Sequence, residues 1–312
     1  MGLVLIFLLN ASLFSLGGIG EDLGVFKTPF LESSQRAAVE FVLRPEFNVL
    51  NEGSDFRSIF WTNPFDFNLT VPFGRGFIFS VGNSERYSQA FDVYLEEEDL
   101  GLHVLGKGGI SEIYANVNND FKVGQIALRA SYLFGHPWEI WEYSISNYYL
   151  TDTFSYTYRG KIFGAGLRVA FVSVAYEGLG SVTTETVTID TTIDLPDRLS
   201  IGVNPPLFGG KLGMMYEHSF WHRNTGQNYS SPHRFKIGFE KQRIGVQYFY
   251  NPWYLEDVTE HGINFSWAIP VRNVGSAKFN ISCALRSRGD LREFIIIPEL
   301  QFTLREIFAL RK

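Results

Sequence analysis

The chain has 312 residues, of which 16% are aromatic and 19% are charged, and its formal net charge is −6. Its mean hydropathy of −0.02 is far below that of a bundle of membrane-spanning helices, and its charged residues form no basic stripe of the kind that nucleic-acid binding needs. We therefore predict neither a helical membrane protein nor a nucleic-acid partner, and the single cysteine, Cys283, excludes an intrachain disulfide.

The amino end carries an apolar segment that resembles a secretion signal. Residues 2–14 have the length of the apolar core of such a signal, and small residues follow at Ser15, Gly17 and Gly18. We predict a signal peptide over residues 1–17. The usual basic residue at the start of the signal is missing, so a single anchoring helix is the competing interpretation.

The next stretch, residues 21–55, lacks a regular alternation of apolar and polar side chains. Within it, Ser33–Leu43 favours a short helix that stops before Pro45. We interpret the stretch as a plug. A small periplasmic extension or an ordinary amino-terminal subdomain is the alternative.

A two-residue period begins at Phe65 and recurs along the rest of the chain. Every second residue of Phe65–Phe73 is apolar, while Asp66 and Thr70 between them are polar, and Gln125–Phe134 and Phe294–Leu304 repeat the pattern. Transmembrane β-barrels have strands of about 10 residues that alternate between lipid-facing apolar and lumen-facing polar side chains. We predict an all-β chain that forms a transmembrane antiparallel β-barrel, with a soluble β-sandwich as the alternative.

The strand count from this pattern is about 12 to 16, because strand boundaries read from sequence err by several residues. The neighbouring segments Phe163–Phe171 and Val172–Tyr176 could form one long strand. Trp138–Thr153, which is rich in Trp, Tyr and Asn, is predicted to form a long external loop or part of an aromatic girdle.

Three prolines, Pro72, Pro270 and Pro298, lie in or beside predicted strands. Each removes a hydrogen-bond donor from the ladder, and a closed barrel has no edge strand where that loss is harmless. Irregularities of this kind are also places where a wall can open. We predict a turn or local bulge at each proline rather than an opening.

The residues give little support for an enzyme. His218 and His222 have the spacing of a helical metal pair, but on a strand they lie about 13 Å apart at about 3.3 Å per residue. The chain contains no Gly-x-Ser-x-Gly nucleophile motif. The acidic run Glu96–Asp99 is more simply a solvated loop than a Ca²⁺ site. We predict no catalytic residue, no cofactor and no metal site.

Several short motifs resemble those of long-chain fatty acid transporter (FadL-like) outer-membrane proteins. At the amino end these are Phe-Ser-Leu-Gly-Gly-Ile-Gly-Glu, the Arg-containing stretch Gln-Arg-Ala-Ala-Val-Glu-Phe-Val-Leu and Asn-Val-Leu-Asn, at residues 14–21, 35–43 and 48–51. Further along, the similar stretches are residues 106–114, 127–135, 195–203, 288–294 and 304–308. Asn51-Glu52-Gly53 stands where the family has an Asn-Pro-Ala motif, so the chain resembles a divergent member.

This resemblance implies a barrel of about fourteen strands, over residues 57–312, whose lumen is closed by an amino-terminal hatch. The hatch would cover residues 18–56, with Arg36, Asn48 and Asn51 as its candidate functional residues. Hydrophobic molecules would be captured outside and released sideways or inward. Burial of an acyl chain in an apolar groove is worth about 0.8 kcal/mol per methylene, so such a groove competes well with water.

The implied location is the cell outer membrane, and the implied function is passive uptake of hydrophobic small molecules. The expected partners are the lipid bilayer, lipopolysaccharide, a hydrophobic small-molecule ligand and the barrel-assembly machinery. A structural or adhesive barrel without a transport role is the second hypothesis, and a barrel enzyme is the third.

Overall fold

The computed structural model describes residues 30–31, 36–52, 55–62, 65–88, 91–97, 100–145, 148–185, 190–220, 231–253, 257–271, 274–289 and 291–305. The predicted signal peptide, and all of the predicted hatch before Phe30, lie outside these residues. Within the described ranges, no helix is both long and apolar enough to cross a membrane.

The described residues form β-strands throughout. In the first half of the chain these are β1 (Ala38–Leu43), β2 (Pro45–Glu52), β3 (Asp55–Thr62), β4 (Asp66–Gly74), β5 (Phe77–Ser88), β6 (Phe91–Glu97), β7 (Leu100–Lys107), β8 (Gly109–Phe121), β9 (Gly124–Gly135), β10 (Trp138–Ile145) and β11 (Tyr148–Ser155). In the second half they are β12 (Thr157–Val169), β13 (Val172–Glu185), β14 (Asp190–Asp194), β15 (Arg198–Val203), β16 (Pro206–Leu207), β17 (Gly210–Ser219), β18 (His233–Lys241), β19 (Ile244–Pro252), β20 (Thr259–Val271), β21 (Gly275–Arg288) and β22 (Leu291–Arg305).

Fourteen of these strands close into an antiparallel barrel. The order around the wall is β1, β4, β5, β8, β9, β12, β13, β15, β17, β18, β19, β20, β21 and β22. The ring closes because β22 pairs with β1, in a register that sets Ala38 opposite Arg305. A closed ring removes the soluble β-sandwich from consideration and confirms the predicted fold class and strand number.

Strand β2 continues the direction of β1, and both pair with the same neighbouring strand, β22. Ala38 opposite Arg305 and Phe47 opposite Ile296 belong to one register with β22, so residues 38–52 run as one long wall strand. On the other side, β2 forms a hairpin with β3, which leads into β4. The predicted helix over Ser33–Leu43 is therefore wrong from Ala38 onward.

The same finding corrects the boundary of the predicted hatch at 18–56. Asn48 and Asn51 lie in β2 and belong to the wall. The reason is tertiary: β1 pairs with β22 on one side and with β4 on the other, and two complete ladders outweigh a weak helical preference. The described part of the predicted hatch from Ala38 onward therefore belongs to wall strands.

One end of the barrel has tight turns and the other has longer connections. At the turn end, two-residue turns join β4 to β5, β8 to β9, β12 to β13 and β18 to β19. Three non-glycine residues in these turns have a positive φ, namely Arg75, Ala170 and Gln242, as hairpin turns require. The turn at Ala170 also separates Phe163–Phe171 from Val172–Tyr176, which form two strands rather than one.

At the loop end, four wall strands continue into a second sheet in the order β11, β10, β7, β6. The order matches that of β12, β9, β8 and β5 below them, so this extension prolongs one section of the wall. Gly108, with φ of 93°, packs against Pro137 where the sheet bends, and the Tyr156 N–H donates to the Pro137 carbonyl over 3.0 Å. The predicted loop at Trp138–Thr153 is thus the β10–β11 hairpin.

Alternation along each strand gives the wall two different faces. In β9, Gln125, Ala127 and Leu133 are fully buried on the lumenal face, whereas Leu128 and Tyr132 are exposed on the outer face. The outer face of the other strands is also apolar, as the two-residue period predicts. Exposed aromatic residues lie near both ends: Phe73, Phe77, Phe121, Phe171 and Phe208 at the turn end, and Tyr132, Phe134, Phe235 and Tyr248 toward the loop end.

Candidate functional site in the barrel lumen

An apolar cluster fills part of the lumen near the loop end, and we call it the lumenal apolar cluster. It contains Tyr87, Ile110, Leu133, Tyr158, Ile162, Val182 and Leu195, each at most 4% exposed. These residues come from β5, β8, β9, β12 and β13 and from the segment after β14. Because inward positions of a water-filled barrel are usually polar, an apolar lumenal surface here is a distinctive feature.

The buried face of the extension forms a separate apolar cluster. Leu102, Val104 and Trp141 form its core, and Trp141 meets Phe154 edge to face with ring centroids 6.0 Å apart. The Trp141 indole N–H donates to Glu139 over 3.0 Å. The loop end of the barrel therefore carries apolar clusters both in the lumen and in the extension beyond it.

Tyr156 connects the two parts. Its ring packs against the lumenal apolar cluster, and its hydroxyl donates a hydrogen bond to Glu139. Burial, followed by the nearby Glu139 carboxylate, raises the pKa of Tyr156 to about 12. The hydroxyl therefore stays protonated and keeps its role as donor.

Below the apolar cluster lies a set of buried charges, which we call the lumenal ion network: Arg86, Glu112, Arg129 and Glu177. Arg129 pairs with Glu112, which also accepts a hydrogen bond of 3.0 Å from Ser84. Arg86 pairs with Glu177 and lies 4.0 Å from Glu112. Glu112 is only 2% exposed, so its charge depends on these partners.

A piece of the amino-terminal segment lies against this network inside the barrel. The Asn116 side chain donates to the Phe30 carbonyl over 2.7 Å, and the Phe30 ring packs against Ala127 and Ala175. The Arg129 guanidinium lies 5.4 Å from the centre of the same ring. Phe30 is thus held in the lumen by three wall strands and one cation.

Beside Phe30, the described side chains enclose a lumenal cavity of about 630 Å³. Its lining is strongly charged, with six acidic and eight basic side chains. The acidic ones are Glu40, Asp66, Glu112, Glu177, Glu217 and Glu299. This cavity differs in character from the apolar cluster at the loop end.

The wall is interrupted where β4 and β5 separate. Their ladder runs from the turn end to the pair Phe67 and Asn83 and stops there. Beyond that pair, the Glu85 N–H donates to the Asp66 carboxylate over 3.2 Å, and the Asn83 side chain donates to the Phe65 carbonyl over 3.0 Å. Side chains thus replace part of the ladder.

This interruption reaches the lumen. Among the described residues, β3 pairs with β2 and with no other strand, while the upper part of β5 pairs with β8 on its other side. Phe67 and Asn83 both line the lumenal cavity. The cavity therefore extends to the wall at the point where the two strands part.

The strand irregularities agree only partly with the proline positions. Pro72 lies at a register shift, which confirms the bulge predicted there. Pro270 and Pro298 lie in continuous ladders opposite Ser276 and Ile281. The separation of β4 and β5 occurs away from all three prolines.

A second buried ion network joins neighbouring strands on another side of the barrel, and we call it the wall ion network. Arg286 on β21 pairs with Glu260 on β20 at 2.9 Å and with Glu293 on β22 at 2.6 Å. The Trp253 ring covers the guanidinium at 4.2 Å. These contacts follow the wall and hold three consecutive strands together.

The residues predicted as hatch candidates lie apart from one another. Arg36 is exposed, Asn48 is a wall residue with 3% exposure, and Asn51 lies in β2. The Asn48 side chain hydrogen-bonds to Glu46, which interacts electrostatically with Arg286 of the wall ion network. Sequence reasoning missed the lumenal ion network, although Glu112 and Arg129 stand as charged residues within alternating strands, which is an available signal. Their mutual contacts have no sequence signature.

The histidine pair considered for a metal is not assembled as such. His222 lies outside the described residues, and His218 stacks on His233 across the β17–β18 ladder with ring centroids 4.3 Å apart. The Tyr216 hydroxyl lies 2.7 Å from His233. In the part of the chain that the structure describes, no three metal-ligating side chains form a group that could hold an ion.

Comparisons with known proteins give a consistent fold. No protein-family model matches the chain, and no curated protein matches its sequence. The solved structure of the CymD monoaromatic hydrocarbon channel superposes with a TM-score of 0.59 and 9% identity over 95% of this chain and 94% of that one.

Two further structures agree with it. The Pseudomonas putida toluene transporter TodX gives a TM-score of 0.58 with 9% identity, covering 94% of this chain and 96% of that one. A Pseudomonas aeruginosa FadL homologue gives 0.55 with 6% identity, covering 87% and 90%. The chain has the same barrel fold as these proteins, which confirms at the level of the fold the resemblance drawn from its motifs.

Proposed function

We propose that the chain is an outer-membrane channel for the passive uptake of hydrophobic small molecules. The lumenal apolar cluster and the apolar face of the extension above it carry the proposal. A channel for water-soluble solutes has a polar interior. Here apolar side chains occupy the lumen near the loop end, and an apolar molecule that packs among them gains about 25 cal/mol per Å² of apolar area removed from water.

The outer face of the barrel supports a membrane location. Leu128 and Ile263 are 62% and 56% exposed on strands whose lumenal faces are polar, a pattern that suits lipid and not water. Aromatic residues at both ends suit the two interfaces of a bilayer. By this proposal the turn end faces the periplasm, the loop end meets lipopolysaccharide, and the barrel-assembly machinery inserts the chain.

The charge of the lower lumen favours sideways release. An apolar molecule gains nothing from the charged lining of the cavity, because displacing water from these groups carries a desolvation cost. The interrupted wall between β4 and β5 lies next to the cavity and is bordered on the outside by Phe65 and Phe41, whose rings are 5.2 Å apart. An apolar molecule leaving there enters lipid.

We further propose that the amino-terminal segment before Ala38 acts as the hatch. The contacts of Phe30 with Asn116, Ala127 and Arg129 support a lumenal position for this segment. The hatch is shorter than the range 18–56 expected from the resemblance. Two of the similar structures are a monoaromatic hydrocarbon channel and a toluene transporter, so toluene is the first cargo to test.

A structural or adhesive barrel is the second candidate, and one observation favours it. All eight residues of β11 are exposed, and Tyr148 and Tyr149 are 77% and 82% exposed. An exposed aromatic edge strand of this kind can bind a partner. Neither candidate requires a catalytic step.

Uptake of radiolabelled toluene by Gram-negative cells with an intact lipopolysaccharide leaflet, with and without the full chain, separates the two candidates, because toluene crosses a plain phospholipid bilayer unaided. We expect faster toluene entry with the chain than without it, and Leu133→Thr, which places a hydroxyl in the apolar cluster, to reduce that difference about tenfold. Met215→Thr is the matched control, because Met215 is also buried but lines the charged cavity. Equal entry with and without the protein would reject the channel and leave the adhesive barrel.

A further inference from the structure

Arg86 lies at an irregularity in β5. Glu85 is opposite Ser111 and Tyr87 is opposite Ile110, so Arg86 is an extra residue in the ladder. Arg86 is in phase with the lumenal residues Ile78, Ser80 and Ser84, and the bulge allows the next residue, Tyr87, to face the lumen as well. The residues on either side, Glu85 and Tyr87, are 6% and 2% exposed.

From this bulge, Arg86 reaches a strand that is not its neighbour. Its guanidinium pairs with Glu177 on β13, and three strands, β8, β9 and β12, separate β5 from β13 along the wall. The contact therefore crosses the lumen. Another lumenal ion pair at similar burial, Lys236 with Glu217 at 2.8 Å, joins the adjacent strands β18 and β17 and leaves the lumen uncrossed.

The bridge also lies between two compartments of different character. Tyr87, the next residue along β5, belongs to the lumenal apolar cluster, whereas Arg86, Glu112 and Glu177 line the charged cavity. A buried ion pair is held in place because separating it leaves two charges without partners in a poorly solvated region. Two such groups meeting across the lumen reduce its open cross-section.

The bridge is connected to the amino-terminal segment through shared groups. Glu112 lies near Arg86 and pairs with Arg129, whose guanidinium is 3.7 Å from the centre of the Tyr114 ring and 5.4 Å from that of Phe30. Movement of Phe30 would uncover one face of Arg129. The four charged groups and Phe30 thus form one connected assembly.

We propose that the Arg86–Glu177 bridge is the constriction of the barrel and that Arg86 is its gating residue. The bridge separates the apolar entrance from the charged cavity, and the passage widens when the bridge breaks. The inference rests on the proposed function only in treating the lumen as the passage. Ion conductance tests it separately from the uptake of any hydrophobic molecule.

The experiment is single-channel recording of K⁺ conductance through the full chain in planar lipid bilayers. We expect Arg86→Gln and Glu177→Gln each to raise the conductance at least about threefold, because each breaks the ion pair that holds the constriction closed. Arg86→Gln leaves Glu177 without this partner, so Glu177→Gln, which keeps Arg86 beside Glu112, covers the case of poor folding. Heat-modifiable migration on a gel verifies that each variant forms a barrel.

Two further variants define the result. The double variant Arg86→Gln with Glu177→Gln should conduct like either single variant, because a shared contact can be lost only once. Lys236→Gln, which breaks a pair along the wall, should conduct like the unaltered chain. Folded single variants with unchanged conductance, or an equal rise in Lys236→Gln, would overturn the bridge while leaving toluene uptake to be judged by its own assay.

Discussion

The two buried ion networks are built from the same kinds of side chain, arginine and glutamate, but they connect different sets of strands. In the wall ion network, Arg286 joins β20, β21 and β22, which are consecutive around the barrel. In the lumenal ion network, Arg86 joins β5 to β13 across three intervening strands. Which strands a buried charge connects decides what it can do: we expect a pair along the wall to stabilise the fold, and by our proposal a pair across the lumen limits passage.

The largest expected effect tests the wall ion network. Arg286→Ala leaves Glu260 and Glu293 buried without their cation and should lower the free energy of unfolding by about 3 to 5 kcal/mol. Urea titration of the protein in detergent micelles, followed by tryptophan fluorescence, measures the change. Arg243→Ala, in an exposed turn, is the control and should change it by less than about 0.5 kcal/mol. A stable Arg286→Ala variant would mean that the network does not hold the strands.

The next effect compares a charge placed on the outer face at the middle of the membrane with one placed at the membrane interface. Leu128→Arg places a cation on the outer face near the middle of β9, and in lipid this should cost about 2 to 4 kcal/mol of folding free energy. Phe208→Arg, at the turn end, should cost about 0 to 1 kcal/mol because the side chain reaches the interface. Folding titrations in lipid vesicles measure both. Equal costs at the two positions would argue against the lipid-facing assignment.

The smallest effect concerns the contact between the lumenal ion network and the amino-terminal segment. A Cβ added at Gly164 would lie 2.6 Å from the Phe30 ring, so Gly164→Ala should displace Phe30 and raise K⁺ conductance, though less than Arg86→Gln. Gly245→Ala is the control, because the added Cβ meets the rotatable Ser266 hydroxyl. Unchanged single-channel conductance in Gly164→Ala would show that Phe30 does not influence the passage.

Much of the barrel could be predicted from the chain because strand alternation is a local property. Phe65–Phe73 and Gln125–Phe134 show a clear two-residue alternation of apolar and polar side chains, and both form wall strands. The first wall strand was not predicted as a strand, because Ala38–Leu43 reads Ala-Val-Glu-Phe-Val-Leu, with one polar residue and no alternation of apolar and polar side chains. Its lumenal Val42 lines the cavity beside polar neighbours, so the face it belongs to is decided by its partners β4 and β22.

The candidate site was harder to predict from the sequence than the barrel. Arg36, Asn48 and Asn51 followed from a motif resemblance, whereas the ion pairs of the lumenal network come from β5, β8, β9 and β13. The interruption between β4 and β5 lies away from Pro72, Pro270 and Pro298, the prolines considered as possible irregularities. It arises where the Asp66 carboxylate takes the place of a ladder acceptor, which depends on how the two strands meet.

By itself, the sequence determined the two faces of the wall, since a period of two residues sends alternate side chains to opposite sides of any strand. It also determined the all-β character and the approximate number of strands. Only the tertiary structure decided which charges meet, because Arg86 and Glu177 are separated by 91 positions in the chain and come together only when the ring of strands closes. Closure of a barrel is a property of all its ladders at once, and no single segment contains it.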